Sequence, residues 1–349
     1  RPAVGGGFGS RQEVVIEAVC AALPVATRQP VRMALTRREE FVSARCRHAM
    51  EIRITTGIRA DGALLASRME VLCDAGAYGS HSPTVAVNAG TKNLPRYPSP
   101  NLELHCRSVY TNTVIGGAFR GYGTSQGAFA LECHVDELAE ALGKDPLAYR
   151  LEIGRRASDR DLLSARVYGP DPAVKVGWEA LGFDPLRCLR VGAERIRWSA
   201  RRAELAAWNR RSSRSRRGLG LAFVSQGSGV AGSQKVSAEL RMAEDGSFLL
   251  LVESGEIGTG ADTALTKIAA EELGVPMAAV RLVTGDTDLC PWSSGAYASA
   301  TTFLGGRAVA AAAAEIVEEL GGLAAGILGV AQREIECTDG VASSRADGR

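Results

Sequence analysis

The sequence predicts an α+β protein made of two related lobes, each of mixed strands and helices. Its 349 residues suffice for about two domains. Hydrophobic residues make up 46% of the chain, so a large core can form. In both halves a strand leads into a glycine-rich loop that opens a helix. This repeated order is the observation that predicts two lobes of similar construction.

The first lobe is predicted over residues 1–155. Alternating apolar residues on both sides of Ala60-Asp61-Gly62 predict a β-hairpin. Small and polar residues over 75–90 predict a loop, and the remaining segments read as helices or strands from their apolar spacing. The predicted elements are a helix over 10–23, strands over 31–35, 50–58, 63–73 and 102–110, and a helix over 128–142.

A connecting segment is predicted over residues 156–217, weakly patterned as far as residue 186, with a helix over 189–208. Residues 187–217 hold eleven arginines and two glutamates. A nucleic-acid patch is one interpretation, but only Trp198 and Trp208 interleave with the arginines, and the formal net charge is only +2. A solvated or subunit-facing surface is therefore favoured, with no nucleic-acid partner.

The second lobe is predicted over residues 218–349 and is expected to be incomplete at its C-terminal end. A turn at residues 244–246 joins two strands, and Gly274 followed by Pro276 marks the end of a helix. The predicted elements are strands over 235–241, 248–253 and 280–283, a helix over 262–273, a small-residue loop over 293–302, and a helix from 307 to about 320 that stops at Gly321 and Gly322.

Cysteine usage and hydropathy restrict the compartment. The eight cysteines are scattered without a CxxC pair, which argues against zinc or iron–sulfur ligation and favours a reducing cytoplasm. No run of eighteen apolar residues occurs, so no membrane span is expected. The chain starts at Arg1 inside a glycine-rich loop, from which we expect a fragment or a split subunit.

The stretch from Thr113 to Gln126 concentrates the features of a binding site. Four glycines surround Arg120, with Phe119 and Tyr122 beside it, at the start of a helix. Glycines let the backbone approach a ligand, arginine offers a fork of donors to an anion, and aromatic faces suit a flat ligand. A tight structural turn with a surface arginine is the alternative, and this stretch alone leaves both open.

Three further loops, over residues 5–10, 255–260 and 293–302, are rich in glycine or small residues. None has the GxGxxG or GxxxxGKS pattern in the required context, so a Rossmann fold and a P-loop are excluded. Several separate backbone loops suit a large cofactor with phosphates and a ring system better than a mononucleotide.

Six segments in this order resemble the molybdenum-binding subunit of the xanthine dehydrogenase family. The resemblance implies that the glycine-rich loops of both lobes meet at a molybdopterin site. It also implies a molybdenum hydroxylase that oxidises an N-heterocycle or an aldehyde with oxygen from water. The segments are GGGFG at 5–9, AFRGYG at 118–123, EIGTGADT at 256–263, AAEELGVP at 269–276, GDT at 285–287 and SGAYASATTFLGGRAV at 294–309.

The resemblance also implies the roles of individual residues. The pterin holds the metal, so no protein side chain is expected as a metal ligand. Backbone amides at Phe8, Gly9 and Arg120 match groups that face the metal site. The other matching cofactor residues are Gly258, Thr259, Gly260, Ala298 and Ser299, with Thr259 replacing the family's glutamine.

Three residues are implied to contact the substrate. Tyr122 matches an aromatic residue that stacks on a flat substrate. Gln12 stands where enzymes acting on xanthine have a glutamate, and Asn88 stands near the position where they have an arginine. The neighbouring Glu13 lies one residue along, on another helical face. These departures predict a substrate other than xanthine.

The resemblance implies partners and a missing base. Electrons are expected to pass to a 2Fe-2S subunit and a FAD subunit. A companion molybdenum-binding subunit and a cytosine dinucleotide form of the pterin are left open. The family's general-base glutamate is expected beyond residue 349, so residues 1–349 alone are expected to be inactive. The alternative is a catalytically silent scaffold that has lost the cofactor, which Thr259 and the missing base favour.

Overall fold

The computed structural model describes residues 4–159, 161–168, 184–212, 214–230 and 234–345. The chain divides into two compact units. The first unit is Gly9–Gln226, and the second unit is Arg1–Phe8 with Gly227–Arg349. Each combines a small sheet with helices, so the predicted α+β class is confirmed.

A three-stranded sheet organises the first unit. Its strands are β1 (Met50–Ile58), β2 (Leu64–Gly76) and β3 (Asn101–Tyr110). The predicted hairpin is confirmed, because β1 pairs antiparallel with β2 through a turn in which the Gly62 N–H donates to the Arg59 carbonyl at 2.9 Å. The third strand, β3, then pairs parallel with β2.

Helices cover this sheet and build the core of the first unit. Met69 and Val71 of β2 are buried against Leu131 and Val135, which lie on one face of the helix that follows the Arg120 loop. The helices are α1 (Glu17–Thr27), α2 (Arg37–Ser43), α3 (Ser82–Thr91), α4 (Thr124–Ala141), α5 (Pro146–Ile153), α6 (Leu162–Tyr168), α7 (Pro185–Arg195) and α8 (Trp198–Arg211).

Helices α3 and α4 approach each other closely because glycine stands at the contact. A Cβ added to Gly127 would overlap the Ala89 carbonyl oxygen, and one added to Gly123 would overlap the Val85 carbonyl oxygen. Both obstacles are backbone atoms, so no side-chain rotation can relieve them. The contact matters for the site, since α4 begins directly after the Arg120 loop.

Gly127→Ala is therefore expected to lower the free energy of unfolding by about 1–3 kcal/mol, the usual cost of overpacking. Gly192→Ala is the matched control, because Gly192 also lies within a helix but nothing lies within 4 Å of its added Cβ. Relief of the glycine penalty should stabilise that variant by about 0.5–1 kcal/mol. Urea unfolding of both variants measures the difference, and equal stabilisation would contradict the close contact.

A buried ionic network ties α4 to α5. Arg150 is fully buried and donates from Nε to Glu132 Oε2 at 2.9 Å and from Nη1 to Asp136 Oδ1 at 2.6 Å. The Tyr97 hydroxyl donates to Glu132 Oε1 at 2.9 Å, and the Phe223 N–H donates to Oε2 at 2.8 Å. Every oxygen of the Glu132 carboxylate therefore has a donor, which is what a buried charge requires.

The second unit repeats the sheet topology of the first. Its strands are β4 (Ala238–Met242), β5 (Phe248–Val252) and β6 (Val280–Val283), with β4 antiparallel and β6 parallel to β5. Alternate β5 side chains are buried against its helices. The remaining elements are α9 (Ala261–Leu273), α10 (Gly306–Leu328), β7 (Ile335–Thr338) and β8 (Val341–Ser344).

Several predictions for the first unit were wrong. The first helix begins at Glu17, not at residue 10, and continues through Pro24 to Thr27. Residues 31–35 are not a strand. The predicted loop over 75–90 contains α3, whose small side chains Val85, Ala86 and Ala89 are buried. Packing of small residues against the sheet decides the structure there, and a local pattern does not report it.

The predicted bounds of two long helices were also wrong. The helix predicted over 189–208 is two helices, since Arg197 adopts a left-handed φ of 53° between them. The last helix does not stop at Gly321 and Gly322 but runs to Leu328, before Gly329. A glycine inside a helix costs only about 1 kcal/mol, so continued packing outweighs it.

The weakly patterned part of the predicted connecting segment, over residues 156–186, contains α6, and residues 169–183 lie outside the described residues. The eight cysteines are all free thiols. Within the part of the chain that is described, no helix combines the length and apolar character needed to span a bilayer.

Candidate cofactor and substrate site

In the second unit, one carboxylate organises the turn over residues 255–260. Glu256 Oε1 accepts the N–H groups of Gly258 and Thr259, both at 2.6 Å, and of Gly260 at 3.1 Å. Burial raises the pKa of the Glu256 carboxyl, but these backbone donors and that of Asp262 outweigh burial and lower it to about 2. The carboxylate is therefore ionised at neutral pH and fixes the turn at the start of α9.

This finding refines the role predicted for Gly258, Thr259 and Gly260. Their N–H groups donate inward to Glu256, so they are not the donors that a cofactor would meet. All three residues are exposed, with left-handed φ values of 93° at Gly258 and 74° at Gly260. Because two of the three residues are glycines, a ligand can come close to the backbone of this turn. The side chain that the turn presents to it is that of Thr259.

Three of the predicted loops come together in the second unit. A Cβ on Gly258 would lie 3.4 Å from the Gly6 nitrogen, so the 255–260 turn touches the first glycine-rich loop. A Cβ on Gly255 would lie 3.1 Å from the Ala296 Cβ, so the turn also touches the loop over 293–302. The structure thus assembles segments that are far apart in sequence.

Three of the predicted cofactor residues have an uncommon backbone conformation. Phe8, Ala298 and Ser299 adopt left-handed φ values of 50°, 52° and 57° although none is glycine. Such conformations cost of order 1–3 kcal/mol each and persist where the surroundings hold them, often at ligand sites. The Gly229 N–H holds one of them by donating to the Ala298 carbonyl at 2.8 Å.

In the first unit, the loop before α4 carries Arg120 and Tyr122. Tyr122 also adopts a left-handed φ, of 45°, between glycines at 121 and 123. A Cβ on Gly9 would lie 3.1 Å from the Ala118 and Phe119 backbone, so the Gly9 and Arg120 segments are in contact. Arg120 itself is an exposed residue.

Arg47, which the sequence analysis missed, holds this loop. It donates from Nη2 to the Arg120 carbonyl at 2.7 Å and from Nη1 to Ser125 Oγ at 2.6 Å. Its guanidinium also lies over the Phe119 ring, 4.8 Å from the centroid. An isolated arginine before a strand carries no signal in the sequence, because its partners are more than seventy residues away.

His81 was also missed as a site residue, and it lies next to Tyr122. Its Nδ1 is 2.6 Å from the Tyr122 hydroxyl, and its Nε2 is 3.6 Å from Glu13 Oε1. The Glu13 carboxylate accepts from Arg45 and Ser80 as well. Glu13 is thus engaged within the protein, which argues against it replacing the glutamate missing at Gln12.

The two remaining predicted substrate residues lie on different segments. Gln12 is exposed in the turn after Gly9. Asn88 lies half-buried on α3, seven residues after His81. Seven residues are about two helical turns, so Asn88 and His81 share a face of the helix, about 10 Å apart along its axis.

With the geometry described, comparison with known proteins identifies the class. Two molybdopterin cofactor-binding domain families match the chain, one over residues 1–152 and the other over residues 191–349. The chain therefore carries a pair of molybdopterin cofactor-binding domains.

Two relatives show to which family of molybdopterin-binding proteins the chain belongs. The chain is 35% identical over 317 residues to the probable hypoxanthine oxidase XdhD of Escherichia coli, covering 91% of this chain and 32% of that protein. It is 35% identical over 325 residues to a putative xanthine dehydrogenase molybdenum-binding subunit of the same organism, covering 92% and 41%. The chain belongs to the xanthine dehydrogenase family, in its molybdenum-binding part, and spans about a third to two fifths of these relatives.

A solved structure agrees with the fold. Quinoline 2-oxidoreductase from Pseudomonas putida superposes with a TM-score of 0.80 at 25% identity, over 99% of this chain and 44% of that chain. The predicted fold class, α+β with two related lobes, is therefore confirmed.

The residues present fit a molybdopterin cofactor. A pterin that brings its own metal ligands needs close backbone approach and donors to its oxygen atoms, not a cluster of ligating side chains. The left-handed backbone at Phe8, Ala298 and Ser299, and the side-chain-poor turn at Gly258, provide such an approach. In the first unit, by itself, the exposed residue Arg120 carries a positive charge that suits an anionic group.

Proposed function

We propose that this chain is the cofactor-holding part of a molybdenum hydroxylase that oxidises an N-heterocycle or an aldehyde with oxygen from water. One observation carries the proposal: Phe8, Ala298 and Ser299 hold left-handed conformations in loops of a chain with two molybdopterin-binding domains. A strained backbone of this kind persists only where many surrounding contacts hold it. Such strained residues are concentrated at ligand-binding sites.

The bound cofactor supplies the redox centre that takes two electrons from the substrate carbon as that carbon gains oxygen. The chain's own residues bind and orient. Backbone groups at Phe8, Gly9 and Arg120 would donate to cofactor oxygen atoms, and such donors need no reorganisation during the reaction. Arg47 would keep the Arg120 segment in place through its bond to the Arg120 carbonyl. Gly258, Thr259, Gly260, Ala298 and Ser299 would line the pterin.

Substrate recognition is proposed for Tyr122, Gln12 and Asn88. Tyr122 would stack on a flat ring, which favours an N-heterocycle over a small aldehyde. The name of the E. coli relative, a probable hypoxanthine oxidase, supports a heterocyclic substrate. Neither Gln12 nor Asn88 carries a charge, so the proposed substrate is not xanthine.

Partners and location complete the proposal. Electrons would leave through a 2Fe-2S subunit to a FAD subunit in the cytoplasm, and a glutamate outside residues 1–349 would serve as the general base. The proposed cofactor is molybdenum bound to molybdopterin, either as such or in its cytosine dinucleotide form.

The test is turnover by the protein purified together with its neighbouring gene products, with molybdenum content measured in the same sample. Water-derived oxygen in the product of a heterocycle or an aldehyde, detected with ¹⁸O-labelled water, is the expected result. Protein without molybdenum and without turnover would support the alternative, a silent scaffold of the same fold.

A further inference from the structure

A chain of polar contacts runs from Glu13 through His81 to Tyr122 within the first unit. The Tyr122 hydroxyl lies 2.6 Å from His81 Nδ1, and the two rings meet edge to face with centroids 5.5 Å apart. On the far side of the imidazole, Glu13 Oε1 lies 3.6 Å from Nε2. Each of the three side chains is partly buried.

The Glu13 end of this chain is a fixed negative charge. Burial raises the pKa of the Glu13 carboxyl, but hydrogen bonds from Ser80 and Arg45 and the nearby positive charge of Arg45 outweigh it, so the pKa is lowered. The group is therefore a carboxylate at neutral pH. Because Arg45 and Ser80 both donate to it, its position is set from two directions.

The carboxylate decides which nitrogen of His81 carries the proton. A separation of 3.6 Å is too long for a direct hydrogen bond, but two facing acceptors at this distance would repel each other. The proton of a neutral imidazole therefore belongs on Nε2, towards Glu13. Nδ1 is then an acceptor, and the Tyr122 hydroxyl donates to it.

Tyr122 needs such a restraint. A bulky residue at a φ of 45° is uncommon. Without a restraint, its ring would shift whenever the backbone of the loop shifts. The N–H of Tyr122 donates to the Phe119 carbonyl at 2.7 Å and fixes the backbone, whereas His81 fixes the far end of the side chain. His81 itself stands at the start of α3, which packs on α4.

We propose that His81 is a positioning residue that fixes the Tyr122 ring for stacking on a flat heterocyclic substrate, with Glu13 fixing His81 in turn. The inference rests on the function proposed above, since that function places a substrate on Tyr122. The arrangement follows the logic of a carboxylate–imidazole–hydroxyl triad, used here to orient a ring and not to create a nucleophile.

The first test needs neither cofactor nor turnover. The chain has only four histidines, so long-range ¹H–¹⁵N spectra of the full chain are simple, and His81→Asn identifies the His81 signals. At a pH where imidazoles are neutral, His81 should carry its proton on Nε2, and Glu13→Gln should increase the other tautomer. A wild-type His81 protonated on Nδ1 would overturn the proposal.

The second test uses the cofactor-loaded enzyme with a flat N-heterocycle and with acetaldehyde. Loss of one neutral hydrogen bond predicts that His81→Ala raises KM for the heterocycle about 3- to 10-fold. The value of kcat, and KM for acetaldehyde, should stay near wild type because no ring stacks. His81→Asn, which keeps an acceptor, should restore most of the loss. In Tyr122→Phe, His81→Ala should have no further effect.

His105→Ala is the matched control, since His105 is an exposed histidine on β3 that pairs with Glu103. Equal KM values for His81→Ala and His105→Ala would overturn the proposal, and so would an equal rise for both substrates. Cofactor-loaded enzyme that oxidises neither substrate would contradict the proposed function and with it the substrate role of His81. The tautomer measurement would still report on the contact chain itself.

Discussion

Arg150→Ala is expected to lower the free energy of unfolding by about 3–5 kcal/mol, because it leaves a buried carboxylate without its charged partner. Arg150 is fully buried, and Glu132 is 5% exposed. The guanidinium donates to both Glu132 and Asp136, and to the Glu132 carbonyl at 3.0 Å. Without these donors the Glu132 carboxylate keeps only the neutral donors Tyr97 and Phe223 in the core between α4 and α5.

Chemical denaturation of the purified chain measures this change. Arg53→Ala is the control, since Arg53 pairs with Glu51 on an exposed strand face at 2.7 Å. Exposed pairs contribute about 0–1 kcal/mol, so this variant should unfold almost like wild type. A double substitution, Arg150→Met with Glu132→Leu, should recover much of the loss, because it removes both charges together. Similar unfolding of the Arg150 and Arg53 variants would contradict the network.

Xanthine is expected to be a poor substrate of the cofactor-loaded enzyme compared with other N-heterocycles. The family resemblance implies that enzymes acting on xanthine have a glutamate at the position of Gln12 and an arginine near that of Asn88, and neither residue of this chain carries a charge. Hydrogen bonds to charged groups are worth about 1.5–3 kcal/mol, against about 1 for neutral ones. Two such losses amount to about 1–4 kcal/mol of transition-state stabilisation, or about 5- to 1000-fold in rate.

A comparison of kcat/KM across xanthine, hypoxanthine, nicotinate and simple aldehydes measures this preference. Gln12→Glu combined with Asn88→Arg should raise kcat/KM for xanthine relative to the other substrates. Gln29→Glu, which adds the same charge at an exposed position after α1, should not. If wild-type enzyme prefers xanthine, other residues supply the missing charges and the argument from these two positions is wrong.

The sequence predicted those parts of the fold whose pattern is local. The hairpin of β1 and β2, the strand β6 and the helix α9 follow from alternation, turn residues and a Gly–Pro stop, and all three are present. Helix α3 was missed because its small residues form a helix only when packed between β2, β3 and α4. Arg197, whose left-handed conformation separates α7 from α8, was likewise missed because the residue in that conformation is not a glycine.

The site shows the same division. Glycine-rich segments identified the loops, and family resemblance assigned roles to Phe8, Arg120 and Tyr122, which remain proposals. The side chains that hold these loops could not be found this way. Arg47, His81 and Glu256 act on partners through the fold or through the conformation of a turn, and their residue types are common on protein surfaces. Only the three-dimensional structure shows which of the many polar and charged residues hold the loops.

The central claim is that strained backbone in the loops of this chain holds a molybdopterin cofactor. The most direct test is the molybdenum and pterin content of purified wild type, Ala298→Val and Ala298→Gly. Ala298 has a φ of 52°, which glycine adopts freely but a β-branched residue strongly disfavours. We expect stoichiometric molybdenum in wild type and Ala298→Gly, and a large loss in Ala298→Val that remains folded by circular dichroism. Equal molybdenum in all three proteins, or none in wild type, would contradict the claim.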